Sequence, residues 1–167
     1  MRVAIRALDD LIDRTSFRCG VGALDDWIRH HAAQAQRKRL ASVWTASPEG
    51  EPAHLLGYYC LTPWQIAFED CPETLRHRLP RYPVHVSLIA RMAIAEAHQG
   101  KGIGGVLLVD GIRRAYLAGE ALPVQAVLVH AKDAAAAAFY LHHGFIAFPH
   151  RPLHLFMPMS AVARSLS

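Results

Sequence analysis

Residues 91–115 read RMAIAEAHQGKGIGGVLLVDGIRRA. RMAI closes an alternating, strand-like run, VLLVDGIRRA has helical spacing, and Gly100, Gly102, Gly104 and Gly105 lie between them. A glycine-rich turn from a strand into a helix start points successive backbone N–H groups outward and adds the positive end of the helix dipole. Such a turn holds phosphate, and the rest of the chain must say whose.

Upstream, RVAIRA at 2–7 predicts an edge strand and 23–39 an amphipathic helix. Its buried stripe would be Leu24, Trp27, Ile28, His31 and Ala35. SVWTA at 42–46 and LLGYYCLT at 55–62 flank the turn SPEGEP, a hairpin signal. A short helix is expected at 73–79, stopped by Pro80. From Val84 to Ile94 alternation is strict, with Val84, Val86, Leu88, Ala90, Met92 and Ile94 on one face, unless a bulge swaps the faces partway. The helix after the glycines should run to about Ala118 with Leu108, Ile112 and Ala115 inward. Val124–Val129 is a nearly continuous apolar run, typical of a strand covered on both faces. Ala134–His143 is helical and capped by Gly144, and 145–148 and 153–159 form a closing strand pair. The order predicts a mixed α/β fold: one layer of mixed sheet with flanking helices, in a single domain spanning 1–167.

Composition bounds the rest. With 52% hydrophobic and 19% charged residues the chain is globular. No apolar run approaches the ~20 residues needed to span a bilayer. Acids come too early at the N-terminus for a signal peptide, so a cytoplasmic address and no membrane partner are expected. Cys19, Cys60 and Cys71 are odd in number and lack C-x-x-C spacing, and the eleven histidines are scattered, so no metal is expected. The formal charge of +4 favours an anionic partner.

Three frames compete for the glycines. Gly100, Gly102 and Gly105 satisfy G-x-G-x-x-G, but the dinucleotide fingerprint opens the first strand–helix unit of a sheet and has an acid ending the next strand. Here the loop lies past the chain's midpoint, and Glu120 precedes the next strand. A P-loop is excluded because Lys101 is followed by Gly102, with no G-x-x-x-x-G-K-[ST]. The third frame, Gln99-Gly100-Lys101-Gly102-Ile103-Gly104, is Q-x-x-G-x-G. It resembles motif A of the GNAT superfamily of acetyl-CoA-dependent N-acetyltransferases. Downstream, Asp133-Ala-Ala-Ala136-Ala-Ala-Phe139-Tyr140-Leu-His-His-Gly144-Phe145 resembles that superfamily's later signature, with Asp133 where the family usually has asparagine.

The resemblance implies the GNAT fold, a central mixed twisted sheet with flanking helices and a splayed strand pair holding coenzyme A. It places the backbone of Met92, Ala93 and Ile94 along the pantetheine arm and acetyl carbonyl. Gln99, Gly100, Lys101, Gly102, Ile103, Gly104 and Gly105 would hold the pyrophosphate, and His130, Asp133 and Ala136 would line the arm's other side. Tyr140 falls where GNAT enzymes often keep the general acid that protonates the departing thiolate; the alternative is a ring packed under the cofactor.

The base is conspicuous by its absence. A lysine amine, pKa about 10.4, benefits from a nearby carboxylate, and an α-amine, near 7.7–8.0, needs far less help. The strand 84–94 carries no Asp or Glu, so an α-amine substrate is favoured unless the fold brings in Glu69, Asp70 or Glu96.

A narrower resemblance refines the substrate. Phe17-Arg18-Cys19-Gly20 with Ala23-Leu24-Asp25-Asp26-Trp27-Ile28, then Gly57-Tyr58-Tyr59, Arg91-Met92-Ala93-Ile94 and Val129-His130-Ala131-x-Asp133, looks like the GNAT toxins of type II toxin–antitoxin systems. That group acetylates the α-amine of aminoacyl-tRNA, blocking translation, dimerises, and is silenced by an antitoxin with a ribbon–helix–helix half. Basic clusters suit a polyanion, and Arg29, Arg37, Lys38, Arg39, Arg76 and Arg78 are candidate tRNA contacts, with Arg91 nearer the chemistry, either on the acceptor end or in an ion pair. Two alternatives stand beside this reading: a GNAT for a small amine or protein N-terminus, and a degenerate GNAT that binds without catalysis. Residues 64–83 match no pattern.

Overall fold

A computed structural model describes residues 1–166. Val3–Ala7 forms β1, Gly22–His30 α1, Ala32–Arg37 α2, Ser42–Pro48 β2 and Gly57–Ile66 β3. Glu73–Arg76 forms α3, Val84–Ile94 β4, Ile103–Ala118 α4 and Ala126–His130 β5. Ala134–His142 forms α5, Ile146–Phe148 β6, Arg151–Pro158 β7 and Met159–Leu166 α6. The strands make one seven-stranded mixed sheet in the order β1-β2-β3-β4-β5-β7-β6.

The chain clusters into two compact units. The first gathers Met1–Thr62 with Ala90–Gly111. Here β2 pairs antiparallel with β1 (Ile5 opposite Ala46) and with β3 (Thr45 opposite Tyr58), giving the hairpin predicted from the turn at 47–52. Its core holds Leu8, Ile12, Phe17, Ile28, Ala32, Val43, Leu55, Tyr58, Cys60 and Ala93, with Leu24 and Trp27 packed against it. Tyr58 is central: Trp27 stacks on it at 5.9 Å, Phe17 meets it edge-on at 5.7 Å, and its hydroxyl donates to the Leu24 carbonyl at 2.7 Å.

The second unit gathers Pro63–Ile89 with the residues from Ile112 onward. There β4 runs parallel to β5, Leu88 opposite Leu128, and β7 runs antiparallel to β5, Leu128 opposite Phe156 and His130 opposite His154. Ala126, Val127, Leu128 and Val129 are all buried, as an apolar run covered on both faces requires. β6 closes against β7 with a register shift between Ala147 and Phe148.

Several boundaries differ from the sequence reading. The predicted helix 23–39 divides at His31, whose φ of −123° leaves the helical region and whose side chain is exposed rather than part of the stripe. Ile28 before the break and Ala32 after it are both fully buried. α3 ends at Arg76 rather than 79, because His77 leaves the helical region at ψ +126° and Arg78 adopts a left-handed φ of +66°. β3 continues to Ile66, and β5 begins at Ala126. Along β4 the buried phase shifts at Leu88–Ile89, so that Ala93 is buried while Met92 and Ile94 are half-buried. α6 lies beyond the last predicted element and is anchored by Val162, too thin a stripe to be legible.

The three cysteines carry thiols rather than disulfides, and all are buried. Burial pushes the Cys60 and Cys71 thiols up, opposed in part by Arg91 beside Cys60 and Arg76 beside Cys71. No helix among the described residues is long and apolar enough to cross a membrane.

Candidate active site

In the first unit the site grows from the end of β4. The Ala95 N–H donates to the Leu56 carbonyl and the Glu96 N–H to the Arg18 carbonyl, both at 2.8 Å, and a short 3-10 turn at Glu96–His98 leads into the glycines. Gly100 and Gly102 sit at φ +77° and +83°, and nothing lies within 4 Å of where a Cβ on either would stand. Their glycine requirement is therefore conformational, and the space above them is open. α4 begins at Ile103, and its first turn leaves backbone N–H groups without helical partners, as every helix start does. Lys101 is exposed, with Nζ 3.5 Å from His98 Nδ1.

Gln99 does not reach outward into this loop. Its side-chain amide donates to the Cys19 carbonyl at 2.8 Å and to the Ile94 carbonyl at 2.9 Å, clamping the loop to the Phe17–Gly20 turn. The Phe17–Gly20 turn presents two carbonyls to the loop, that of Cys19 to Gln99 and that of Arg18 to the Glu96 N–H. Gly57 makes a second fit that sequence reasoning missed. A Cβ there would stand 2.7 Å from the Ala93 carbonyl oxygen and 2.8 Å from Ile94 Cδ1, so only glycine lets β3 approach the backbone of Ala93 and Ile94.

Arg91 forms no carboxylate ion pair among the described residues. Its guanidinium lies over the Trp27 ring, 4.4 Å from the centroid. Glu96 is exposed, with Oε1 3.0 Å from the Cβ position of Gly20.

In the second unit α5 carries further residues predicted from the sequence. Asp133 is its N-cap, accepting the Ala136 N–H at 2.8 Å. The carboxylate that replaces the family's asparagine is thus engaged by the helix it starts. Two turns on, Tyr140 is buried at 9% exposure with its ring against Phe139 and Phe145 at 5.3 and 5.7 Å. Burial pushes its hydroxyl up to about 12. His130, ending β5, is exposed and stacks on His154 with centroids 4.2 Å apart. Both imidazoles are pulled below the ordinary histidine value, first by burial, then for His130 by His154 and for His154 by Arg151. They are neutral at physiological pH.

Residues 39–147 match the family described as the acetyltransferase (GNAT) domain. The chain belongs to the GNAT acetyltransferases. It is 35% identical over 156 residues to a tRNA-acetylating toxin of Mycobacterium tuberculosis (strain ATCC 25618 / H37Rv), a match covering 93% of this chain and 92% of that one. The crystal structure of a Tyr→Phe mutant of KacT matches with a TM-score of 0.91 at 25% identity, covering 99% of each chain. AtaT complexed with acetyl-methionyl-tRNAfMet matches with a TM-score of 0.90 at 22% identity, covering 99% of this chain and 100% of that one. A Tyr→Phe mutant of the AtaT toxin bound to the C-terminus of the antitoxin AtaR and acetyl-CoA matches with a TM-score of 0.82 at 22% identity, covering 99% of this chain and 98% of that one.

As a GNAT acetyltransferase the protein uses acetyl-CoA. The loop fits that cofactor's diphosphate by the left-handed glycines with open space above them, the unpartnered N–H groups of the α4 start and the exposed Lys101.

The basic candidates of this GNAT chain divide by environment. Arg37, which ends α2, and Lys38 and Arg39 after it are exposed together, Arg39 in a left-handed turn at φ +60°. Arg29 is half-buried and donates through Nη2 to the Phe17 carbonyl, so it ties α1 to the preceding turn. Arg76 donates to the Phe68 carbonyl at 3.0 Å and to Glu73 at 2.9 Å, and lies over the Phe68 ring as Arg81 does. Arg78 is exposed beside it.

Proposed function

We propose that this GNAT enzyme transfers acetyl from acetyl-CoA to the α-amino group of aminoacyl-tRNA, and so blocks translation in the cytoplasm. The observation that carries the proposal is the 35% identity, over 93% of the chain, to a protein named for acetylating tRNA. The absence of Asp and Glu from all eleven residues of β4 agrees with it, because an α-amine, with a pKa near 7.7–8.0, keeps a substantial neutral fraction near physiological pH and needs far less help from a base than a lysine amine.

Acetyl-CoA, when bound, supplies the activated acetyl thioester. Gly100, Gly102, Ile103, Gly104 and Gly105 hold its diphosphate by backbone N–H groups, with Lys101 adding charge and Gln99 positioning the loop from behind. Met92, Ala93 and Ile94 present backbone to the pantetheine arm, and His130 and Ala136 border it while Asp133 fixes the start of α5. Tyr140 keeps a proton on Oη throughout the physiological range, since burial opposes phenolate. It is a weaker acid than an exposed phenol, so it delivers that proton to the departing sulfur in concert with charge development, and recovers one from the attacking nitrogen. Arg37, Lys38, Arg39 and Arg78 supply contacts to the tRNA backbone. The protein acts as a homodimer and is held in check by an antitoxin with a ribbon–helix–helix DNA-binding half.

The test mixes the protein with labelled acetyl-CoA and total charged tRNA and sizes the labelled product. Label on aminoacyl-tRNA is the expected result. Unlabelled tRNA with acetyl-CoA bound would move the activity to small amines or protein N-termini.

A further inference from the structure

Within the second unit four rings form a file running across the strands. Phe148 meets His154 edge-on at 5.9 Å, His154 stacks on His130 at 4.2 Å with 27° between planes, and Trp64 meets His130 edge-on at 5.9 Å. Exposure rises along it, from 6% at Phe148 to 47% at Trp64. At its outer end Trp64 also lines a cleft of about 390 Å³ with Pro63, Gln65 and His85.

The lining selects a ligand class. An aliphatic group would find only Pro63 as an aliphatic wall, and an anion would find no lysine or arginine among the four residues. A planar heterocycle finds an indole to stack on, a carboxamide with paired donor and acceptor, and an imidazole. These are the means by which proteins hold single-stranded RNA bases, and a carboxamide pairs in register with adenine N6 and N7. His130 connects the cleft to the reaction, since the proposed function sets it beside the acetyl arm. In aminoacyl-tRNA the amino acid is esterified to the ribose of the 3′-terminal adenosine, so that base lies one sugar away from the amine.

We propose that this cleft seats the 3′-terminal adenine of the charged tRNA, with Trp64 stacking on the base and Gln65 and His85 contacting its edge. The assignment rests on the aminoacyl-tRNA reading. It gives residues 63–65 and 85 a role in placing the substrate, separate from the cofactor loop and from Tyr140.

Two measurements test it. The first binds tRNA whose 3′-terminal adenine is replaced by 2-aminopurine, whose fluorescence is quenched by stacking. Quenching is expected with the wild-type enzyme, loss of it in Trp64→Ala and recovery in Trp64→Phe. The second follows acetylation of charged tRNA. KM should rise about tenfold or more in Trp64→Ala, and rise in the exposed Gln65→Ala, with kcat and acetyl-CoA affinity by calorimetry unchanged. On the wild-type enzyme, a charged RNA ending in an abasic ribose should suffer the same loss as Trp64→Ala, and that arm requires no variant to fold. If wild-type enzyme acetylates charged tRNA but is indifferent to the terminal base, this assignment falls and the tRNA reading stands. If wild-type enzyme acetylates no charged tRNA, the tRNA reading itself has failed and this assignment goes with it.

Discussion

The side-chain amide of Gln99 bridges two carbonyls from the two sequence segments of the chain's first unit, Cys19 at 2.8 Å and Ile94 at 2.9 Å. Both amide hydrogens are engaged, so the first letter of the Q-x-x-G-x-G motif acts by holding the loop rather than by touching phosphate. Gln99→Ala should cost about 1–3 kcal/mol in stability, from two net hydrogen bonds, and weaken acetyl-CoA binding. Gln99→Glu should be worse at neutral pH, because a carboxylate would face two carbonyl oxygens. Thermal melts and titration calorimetry with acetyl-CoA check both, and unchanged affinity in Gln99→Ala would remove the clamp from the cofactor site.

Gly57 offers a steric test of the β3 contact. With a Cβ 2.7 Å from the Ala93 oxygen, which belongs to backbone and cannot swing aside, Gly57→Ala should destabilise by about 1–3 kcal/mol through overpacking. It should also displace the Ala93–Ile94 backbone and weaken acetyl-CoA binding. Urea titration measures the first effect; a midpoint equal to wild type would mean that the approach is not tight.

Tyr140→Phe removes a hydroxyl and leaves the ring against Phe139 and Phe145. Turnover should fall by about 10²-fold or more, with acetyl-CoA affinity intact. Because burial pushes the hydroxyl up to about 12, wild-type rate should climb through the amine's pKa and then stay level to about pH 10, near the ordinary tyrosine value. A falling limb near pH 10 that vanishes in Tyr140→Phe would show an ordinary, solvated phenol instead.

The stacked pair His130–His154 makes stability depend on pH. Their folded-state pKa values lie below the unfolded value near 6.5. As pH falls the unfolded chain binds protons first, so stability is complete above about 6.5 and declines below it until the folded imidazoles also titrate. His98, lowered by burial, Lys101 and His54, adds in the same sense. Denaturant midpoints at pH 7.5 and 5.5 should differ, and the His130→Asn/His154→Asn double variant should narrow the difference. An equal gap in that variant would place the dependence elsewhere.

Much of this was readable from local pattern. β4 is bounded as its alternation predicts, and α4 starts within the glycine-rich stretch, at Ile103, with Leu108, Ile112 and Ala115 buried, because these features follow from period and turn chemistry. Asp133 falls at a helix start where its spacing to Ala136 permits a cap. What stayed hidden depends on residues distant in sequence. Nothing near Gln99 announces Cys19 as its acceptor, and nothing near Gly57 announces the Ala93 oxygen. Arg29 reads as one more exposed cation until the Phe17 carbonyl is seen in front of it. Trp64, His85, His130 and His154 come from four separate segments, and only strand pairing gathers them.

The buried thiols turn the molecule into its own reporter of breathing motions. A maleimide or iodoacetamide reacts with thiolate, and burial both shields Cys60 and Cys71 and disfavours their ionisation. Alkylation under native conditions therefore waits for local opening. Cys60 lies in one unit and Cys71 in the other, so mass spectrometry of the two modified peptides would time the opening of each unit separately, without any introduced label.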